Sequence, residues 1–293
     1  MLNLFIELAP SSLFQSLILA LMAFGIMIPF RLLNFADLSA EGTYPLGGAI
    51  TALMLTQDFS APLALMAAII GGGLGGLITA QIYLRLKVHP LLSGIILATL
   101  LYSVNLRLMG QPNVALFAYD TIYSVYEGDL ALESLLSLGI DLFVLIVFYL
   151  FLKTQKGLRM RAVGANPKVA ETQGISITSY ILLGLFLANG CHALSGALMA
   201  QSQGYADINM GLGIVIYGLA ALMLGETLIR SQSVIGQLIA PFLGAIVFSQ
   251  LQGFVMAMGL EPSDFKFFTG AVLLIILGIQ RGLRPQTGSI IKI

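Results

Sequence analysis

The chain has 293 residues, 58% of them hydrophobic and 10% charged, with mean hydropathy +0.94 and a formal net charge of zero. A soluble domain carries about a quarter of its residues charged, and so apolar a chain cannot cover a globular surface with polar groups. The composition excludes a soluble enzyme, a nucleic-acid binder and a disordered chain, and leaves a polytopic membrane protein.

A membrane-crossing helix needs about 20 mostly apolar residues. The alternation of an outer-membrane barrel is absent, so helices are the spanning form. The pattern predicts an all-α membrane protein of about nine transmembrane helices, at 11–33, 43–57, 62–84, 90–108, 133–152, 177–199, 211–229, 232–257 and 266–280, forming a single transmembrane domain over 1–293. The start lacks a basic region before its first apolar run, which predicts no cleaved signal peptide. With the N-terminus outside and the C-terminus inside, all 14 basic residues except Arg107 and Lys266 fall on the cytoplasmic side, as positive residues prefer; Arg281, Arg284 and Lys292 are among them.

Along the chain, Asp37 and Glu41 precede a short second span. In the third span, Gly71 and Gly75, and Gly72 and Gly76, stand four apart; small residues so spaced let helices approach closely, which predicts tight packing within the subunit or, alternatively, a dimer contact or a path lining. The outer connection, 109–132, holds Tyr119, Asp120, Tyr123, Tyr126, Glu127 and Asp129. A connection of this length needs a reason, and it is a candidate for partner contacts.

The two halves resemble each other. Phe35-Ala36-Asp37-Leu38 matches Tyr205-Ala206-Asp207-Ile208, and the run from Leu74 to Ile82 matches that from Leu243 to Leu251. Five spans separate the copies, an odd number, so the second copy runs upside down. The result is an inverted repeat of spans 1–4 (about 11–108) and 6–9 (about 177–280), the plan of many transporters. Asp37 then ends the first repeat's opening helix on the inside, and Asp207 ends the second's on the outside.

The cytoplasmic loop 153–176 is basic. Leu158 to Val163 reads as a short amphipathic helix ended by Gly164. Asn166-Pro167 restarts the chain, Lys168 to Thr172 forms a second short helix, and Gly174 is its C-cap. Two short helices make a knob that fits a groove on a soluble partner; as an anchor, the same residues meet lipid headgroups.

The pattern Gly157-Leu158-Arg159-x-Arg161-Ala162-Val163-Gly164-x-Asn166-Pro167, continued by Ala170 and Gly174-Ile175, resembles the coupling loop of ATP-binding-cassette (ABC) importer permeases of the branched-chain amino acid and ribose branch. Leu32 to Ser39 and Gly47-Gly48-Ala49 resemble the start of the branched-chain permeases. The runs Asp207 to Gly213 and Gly218 to Glu226 are similar to a sister group of tryptophan/tyrosine-type permeases. Ala40-Glu41-Gly42 departs from the His-Gly pair of the branched-chain group, which favours the sister group.

The resemblance implies a permease homodimer with a central path, two ABC ATPase subunits docked on the loops, and an extracytoplasmic solute-binding protein. ATP and magnesium would sit on the ATPase, with no cofactor on this chain. A bacterial inner membrane is the implied location, and an aromatic or related amino acid the implied solute. The missing Gly-Lys dipeptide, and with it any Walker A loop, fits this division of labour. By the same resemblance, Arg159, Arg161, Gly164, Asn166, Ala170 and Gly174 are the ATPase-coupling candidates.

Ionisable groups in membrane segments are functional suspects. The candidates for the path are Asp37, Glu41, Asp141, Asp207, Asn209 and Glu226. Each has a structural alternative: Asp141 pairing with a neighbour, Glu226 bridging to Arg230 one turn on, and Asp37 or Glu41 meeting Arg31. Asn105, Asn189, His192, Gln81 and Gln250 read as interhelical hydrogen-bonding groups, His192 as one bonded to a carbonyl. The glycine-rich starts near Gly42 and Gly211 are candidate half-helix ends for a solute carboxylate. A different class of function, an ion-coupled secondary transporter, would work through Asp141 or Glu226. One cysteine, Cys191, and two distant histidines exclude a disulfide framework and a thiolate metal site.

Overall fold

Apolar segments without water to bond must satisfy their backbone internally, and the chain is built of helices. The computed structural model describes residues 2–126, 129–231, 233–259 and 264–283; Glu127, Arg284 and Lys292 lie outside these, as do the side chains of Lys266 and Arg281. The helices are α1 (Leu2–Met27), α2 (Ala40–Leu55), α3 (Ala61–Leu86), α4 (Pro90–Met109), α5 (Leu130–Lys153), α6 (Gln155–Ala165), α7 (Pro167–Thr172), α8 (Ile177–Gln203), α9 (Ile214–Ile229), α10 (Val234–Ala257) and α11 (Phe265–Leu283). A helix overlaps every segment singled out by hydropathy. Among the described residues six are long and apolar enough to cross a membrane: α1 with the turn after it, α3, α4, α5, α8 and α10. Both α2 and α9 have 16 residues, about 24 Å at 1.5 Å per residue, short of the ~30 Å hydrocarbon core.

The centre is α1 and α8, each with 78% of its apolar stretch buried, whereas α5, the most hydrophobic of the six, is 22% buried. Along these two lie α10 on α1 and α3 on α8; α2 packs on α3, α4 and α8, and α9 on α10, α11 and α1. Phe24 of α1 packs edge-on to Phe148 of α5, ring centroids 4.8 Å apart, and meets Phe242 of α10 at 5.4 Å. Glycines make the closest crossings. A Cβ on Gly47 would collide with the Ala193 carbonyl, and one on Gly196 with that of Tyr44, so α2 and α8 touch backbone to backbone. Gly72 and Gly76 seat α3 on α8, while Gly71 and Gly75 meet Ile50 and Thr43 of α2. The glycine-rich span therefore packs within the subunit, on two neighbours at once.

The connection between α4 and α5 is not structureless. Its strand β1 (Asn113–Ala115) pairs antiparallel with β2 (Tyr205–Asp207), setting Asn113 opposite Asp207. Leu116 N–H bonds Gly204 O at 2.7 Å, and Ile122 N–H bonds Gln201 Oε1 at 2.9 Å, strapping the connection to the end of α8. Burial raises the pKa of the Tyr123 hydroxyl, which stays protonated and pairs with Ser137 Oγ at 3.0 Å.

The connection between α5 and α8 forms two helices where expected, but with different bounds. Thr154 Oγ1 accepts from Gly157 N–H at 3.3 Å and starts α6 at Gln155. Gly164 does not end α6; it lies within the helix, where a Cβ would collide with the Leu32 carbonyl. Asn166 ends α6 and caps α7, its Oδ1 accepting from Val169 N–H at 3.2 Å. Gly174 follows α7 with φ +73°, the left-handed geometry glycine adopts without a steric cost.

Candidate functional site

Between α1 and α2 the helix is broken. A π-helical turn, Ile28–Leu32, opens with Ile28-Pro29, Asn34 adopts φ +51°, and the backbone stays irregular up to α2. Backbone groups freed by such a break need partners inside the protein. Asp37 supplies them: Oδ1 accepts Ser39 N–H at 2.8 Å, and Oδ2 accepts the Ser39 hydroxyl at 2.7 Å and Asn189 Nδ2 at 3.2 Å. Asn189 Oδ1 accepts the Thr43 hydroxyl at 2.7 Å and stands 2.9 Å from Ser39 Oγ, whose single proton serves either acceptor. His192 Nδ1 lies 3.4 Å from the same oxygen, a side-chain rather than a backbone carbonyl, and its Nε2 is buried without a partner among the described residues. All five side chains are buried, so the break is tied firmly to α8.

The turn recurs after α8. Asp207 Oδ1 accepts Asn209 N–H at 2.7 Å, its Oδ2 accepts Asn113 Nδ2 at 3.2 Å, and α9 begins at Ile214. The segment from Ile208 then crosses the start of α2, where a Cβ on Gly211 would collide with the Glu41 carbonyl.

A cleft of about 460 Å³ opens there, between the first turns of α2, one face of α4 and residues 208–212. Glu41 and Asn209, both path candidates, share its wall with Tyr102, Ser103 and Asn105, and among the described residues no Lys or Arg lines it. Asn105 Nδ2 donates to Gly42 O at 3.2 Å, while its Oδ1 is buried without a partner among the described residues. The bond joins α4 to α2, as expected of an interhelical hydrogen-bonding group; the place of Asn105 in the cleft depends on the α2–α4 crossing, which no local pattern announces.

The other path candidates lie elsewhere. Glu226 pairs with Arg31, Oε1 accepting Nε at 2.6 Å and Oε2 meeting Nη2. This corrects two expectations. Arg230 leaves the helical face at the end of α9 with φ +44°, so it is not the partner of Glu226. Arg31 in turn engages neither Asp37 nor Glu41. Asp141 is 3% exposed in α5, and neither of its oxygens has a hydrogen-bond partner among the described residues, so the expected pairing with a neighbour is absent.

At the knob, Leu158 is 60% and Val169 54% exposed, with Arg159, Asn166 and Lys168 also exposed. Arg161 turns inward, its Nη2 3.4 Å from Leu152 O at the end of α5. Ala170 is buried, as is Met160, which packs with Leu33 against Gly184 of α8.

With this geometry in place, comparison with known proteins is informative. The chain belongs to the branched-chain amino acid transport system/permease component family, which matches residues 9–277. It is similar to a tyrosine transport system permease protein of Clostridioides difficile, 37% identical over 90% of this chain and 88% of that one. An uncharacterised protein of Rickettsia prowazekii is 34% identical over 91% of this chain and 95% of its own. The galactofuranose transporter permease of Escherichia coli is 25% identical over 83% and 71%. No solved structure matches. The chain is a multi-pass membrane permease of the ABC transport family.

Proposed function

We propose that the chain is the transmembrane subunit of an ATP-driven importer that carries an aromatic or related amino acid into a bacterial cytoplasm. The carrying observation is the knob. A basic surface with two exposed apolar side chains, Leu158 and Val169, sits on helices whose Gly164 rests on the Leu32 backbone, at the break below α2. Force applied to such a knob reaches the break through packed backbone rather than a flexible linker.

Two such subunits would enclose the path, with an ABC ATPase under each knob holding ATP and magnesium. Arg159 and Asn166 would meet the ATPase; Arg161, Gly164, Ala170 and Gly174 would shape the knob. A solute-binding protein would dock outside, where a cleft of about 990 Å³ carries Asp58, Asp120 and Tyr126. The C. difficile relative supports an amino acid as solute.

Nine spans, with the N-terminus outside and spans 1–4 repeated inverted as 6–9, complete the reading. The matched turns at Asp37–Ser39 and Asp207–Asn209 support the repeat. So do the equal lengths of α2 and α9, and their like packing on α3 with α4 and on α10 with α11.

Mild-detergent purification of the tagged chain, with mass spectrometry of what accompanies it, tests this. Recovery of an ATPase that is lost on Arg159→Glu is the expected result. Recovery of the chain alone, active in proteoliposomes on an ion gradient, would overturn it in favour of ion coupling through the unpartnered Asp141.

A further inference from the structure

Resting on the importer reading, we propose that the cleft between α2, α4 and residues 208–212 binds the ammonium group of the transported amino acid between the Glu41 carboxylate and Asn105 Oδ1.

The Asn105 amide is oriented by its own bond. Its NH₂ must face the Gly42 carbonyl, 3.2 Å away, because two carbonyl oxygens cannot bond each other. The oxygen is therefore the end left over, and among the described residues it is buried without a donor, on a residue that lines the cleft. A buried acceptor in that condition is costly, and a donor arriving in the cleft removes the cost. Glu41 is partly buried in the first turn of α2 and forms no ion pair among the described residues, and no cation lines the cleft. A carboxylate at a membrane segment calls for a positive partner.

Glu41 and Asn105 thus offer two acceptors with no cationic donor beside them among the described residues. An ammonium carries three donors and one positive charge, and meets both needs. Tyr102 and Ile95, 51% and 42% exposed, add an aromatic and an aliphatic wall beside them, and a volume of about 460 Å³ admits an aromatic side chain. Glu41 is held in place because the Asp37–Ser39–Asn189 bonds anchor the start of α2.

The test uses the permease–ATPase complex in nanodiscs without the binding protein, with three probes: L-tyrosine, tyramine, which keeps the amine alone, and 3-(4-hydroxyphenyl)propionate, which keeps the carboxylate alone. L-tyrosine and tyramine are expected to bind and the propionate to bind at least tenfold more weakly. Glu41→Gln should weaken both amines at least tenfold, and Asn105→Leu should do the same. If Asn105→Leu fails to fold, Glu41→Gln decides, since no hydrogen bond among the described residues uses that carboxylate. No binding of either amine, equal binding of the propionate, unchanged binding by Glu41→Gln, or binding that follows sodium and ignores the amine would each overturn the proposal. Failure of the ATPase to accompany the wild-type chain would instead overturn the importer reading.

Discussion

At Gly76 a methyl group would strike the Leu185 carbonyl, and at Gly225 that of Ala240. Neither carbonyl can move without shifting a helix, so Gly76→Ala and Gly225→Ala are each expected to cost about 1–3 kcal/mol. Gly139 in α5 meets nothing within 4 Å; Gly139→Ala should be neutral or stabilising by up to about 1 kcal/mol. Thermal unfolding in detergent separates the three. The Arg31–Glu226 pair is a different case, with side chains 46% and 28% exposed. Such pairs contribute about 0–1 kcal/mol, so Glu226→Gln should leave the melting point nearly unchanged. An effect on uptake without loss of stability, restored by exchanging the two charges, would identify the pair as part of the transport cycle; a large stability loss would identify it as structural.

At the scale of elements, the knob and the break form one unit. Gly164 touches Leu32, Met160 and Leu33 meet at Gly184, and Asp37 lies five residues beyond Leu32. Gly164→Val should lift α6 from this seat while leaving Arg159 and Leu158 exposed. Its expected phenotype is an ATPase that still accompanies the permease but no longer drives uptake, whereas Leu158→Glu should lose the ATPase itself. Co-purification and uptake, measured on both variants, distinguish docking from transmission. Identical phenotypes would count against the division.

For the whole molecule, sidedness is open to a direct test. Cys191 is the only cysteine and is 7% exposed, so the native chain gives a nearly silent background for thiol labelling. Val125, 81% exposed in the outer connection, and Arg159, in the knob, are suitable positions. Val125→Cys should react with a membrane-impermeant maleimide on intact cells, and Arg159→Cys only after permeabilisation. The reverse pattern would invert the topology, and with it the assignment of knob and outer cleft.

Much of this was legible in the chain itself. Apolar run length is a local property, so each apolar helix could be found by hydropathy. The Asp37–Asp207 correspondence was visible as a shared offset, and Asn166-Pro167 marked the junction of the knob helices, because capping and proline geometry act within a few residues. What the tertiary structure alone decided are relations between distant residues. Arg31 and Glu226 are 195 positions apart, Gly164 meets Leu32 through a helix crossing, and Asn105 is left with a free oxygen only because α4 lies on α2. Nor could hydropathy rank the helices from centre to rim. Lipid is as apolar as a protein core, so the central α1 and α8 and the peripheral α5 all read as spans, and only their packing tells them apart.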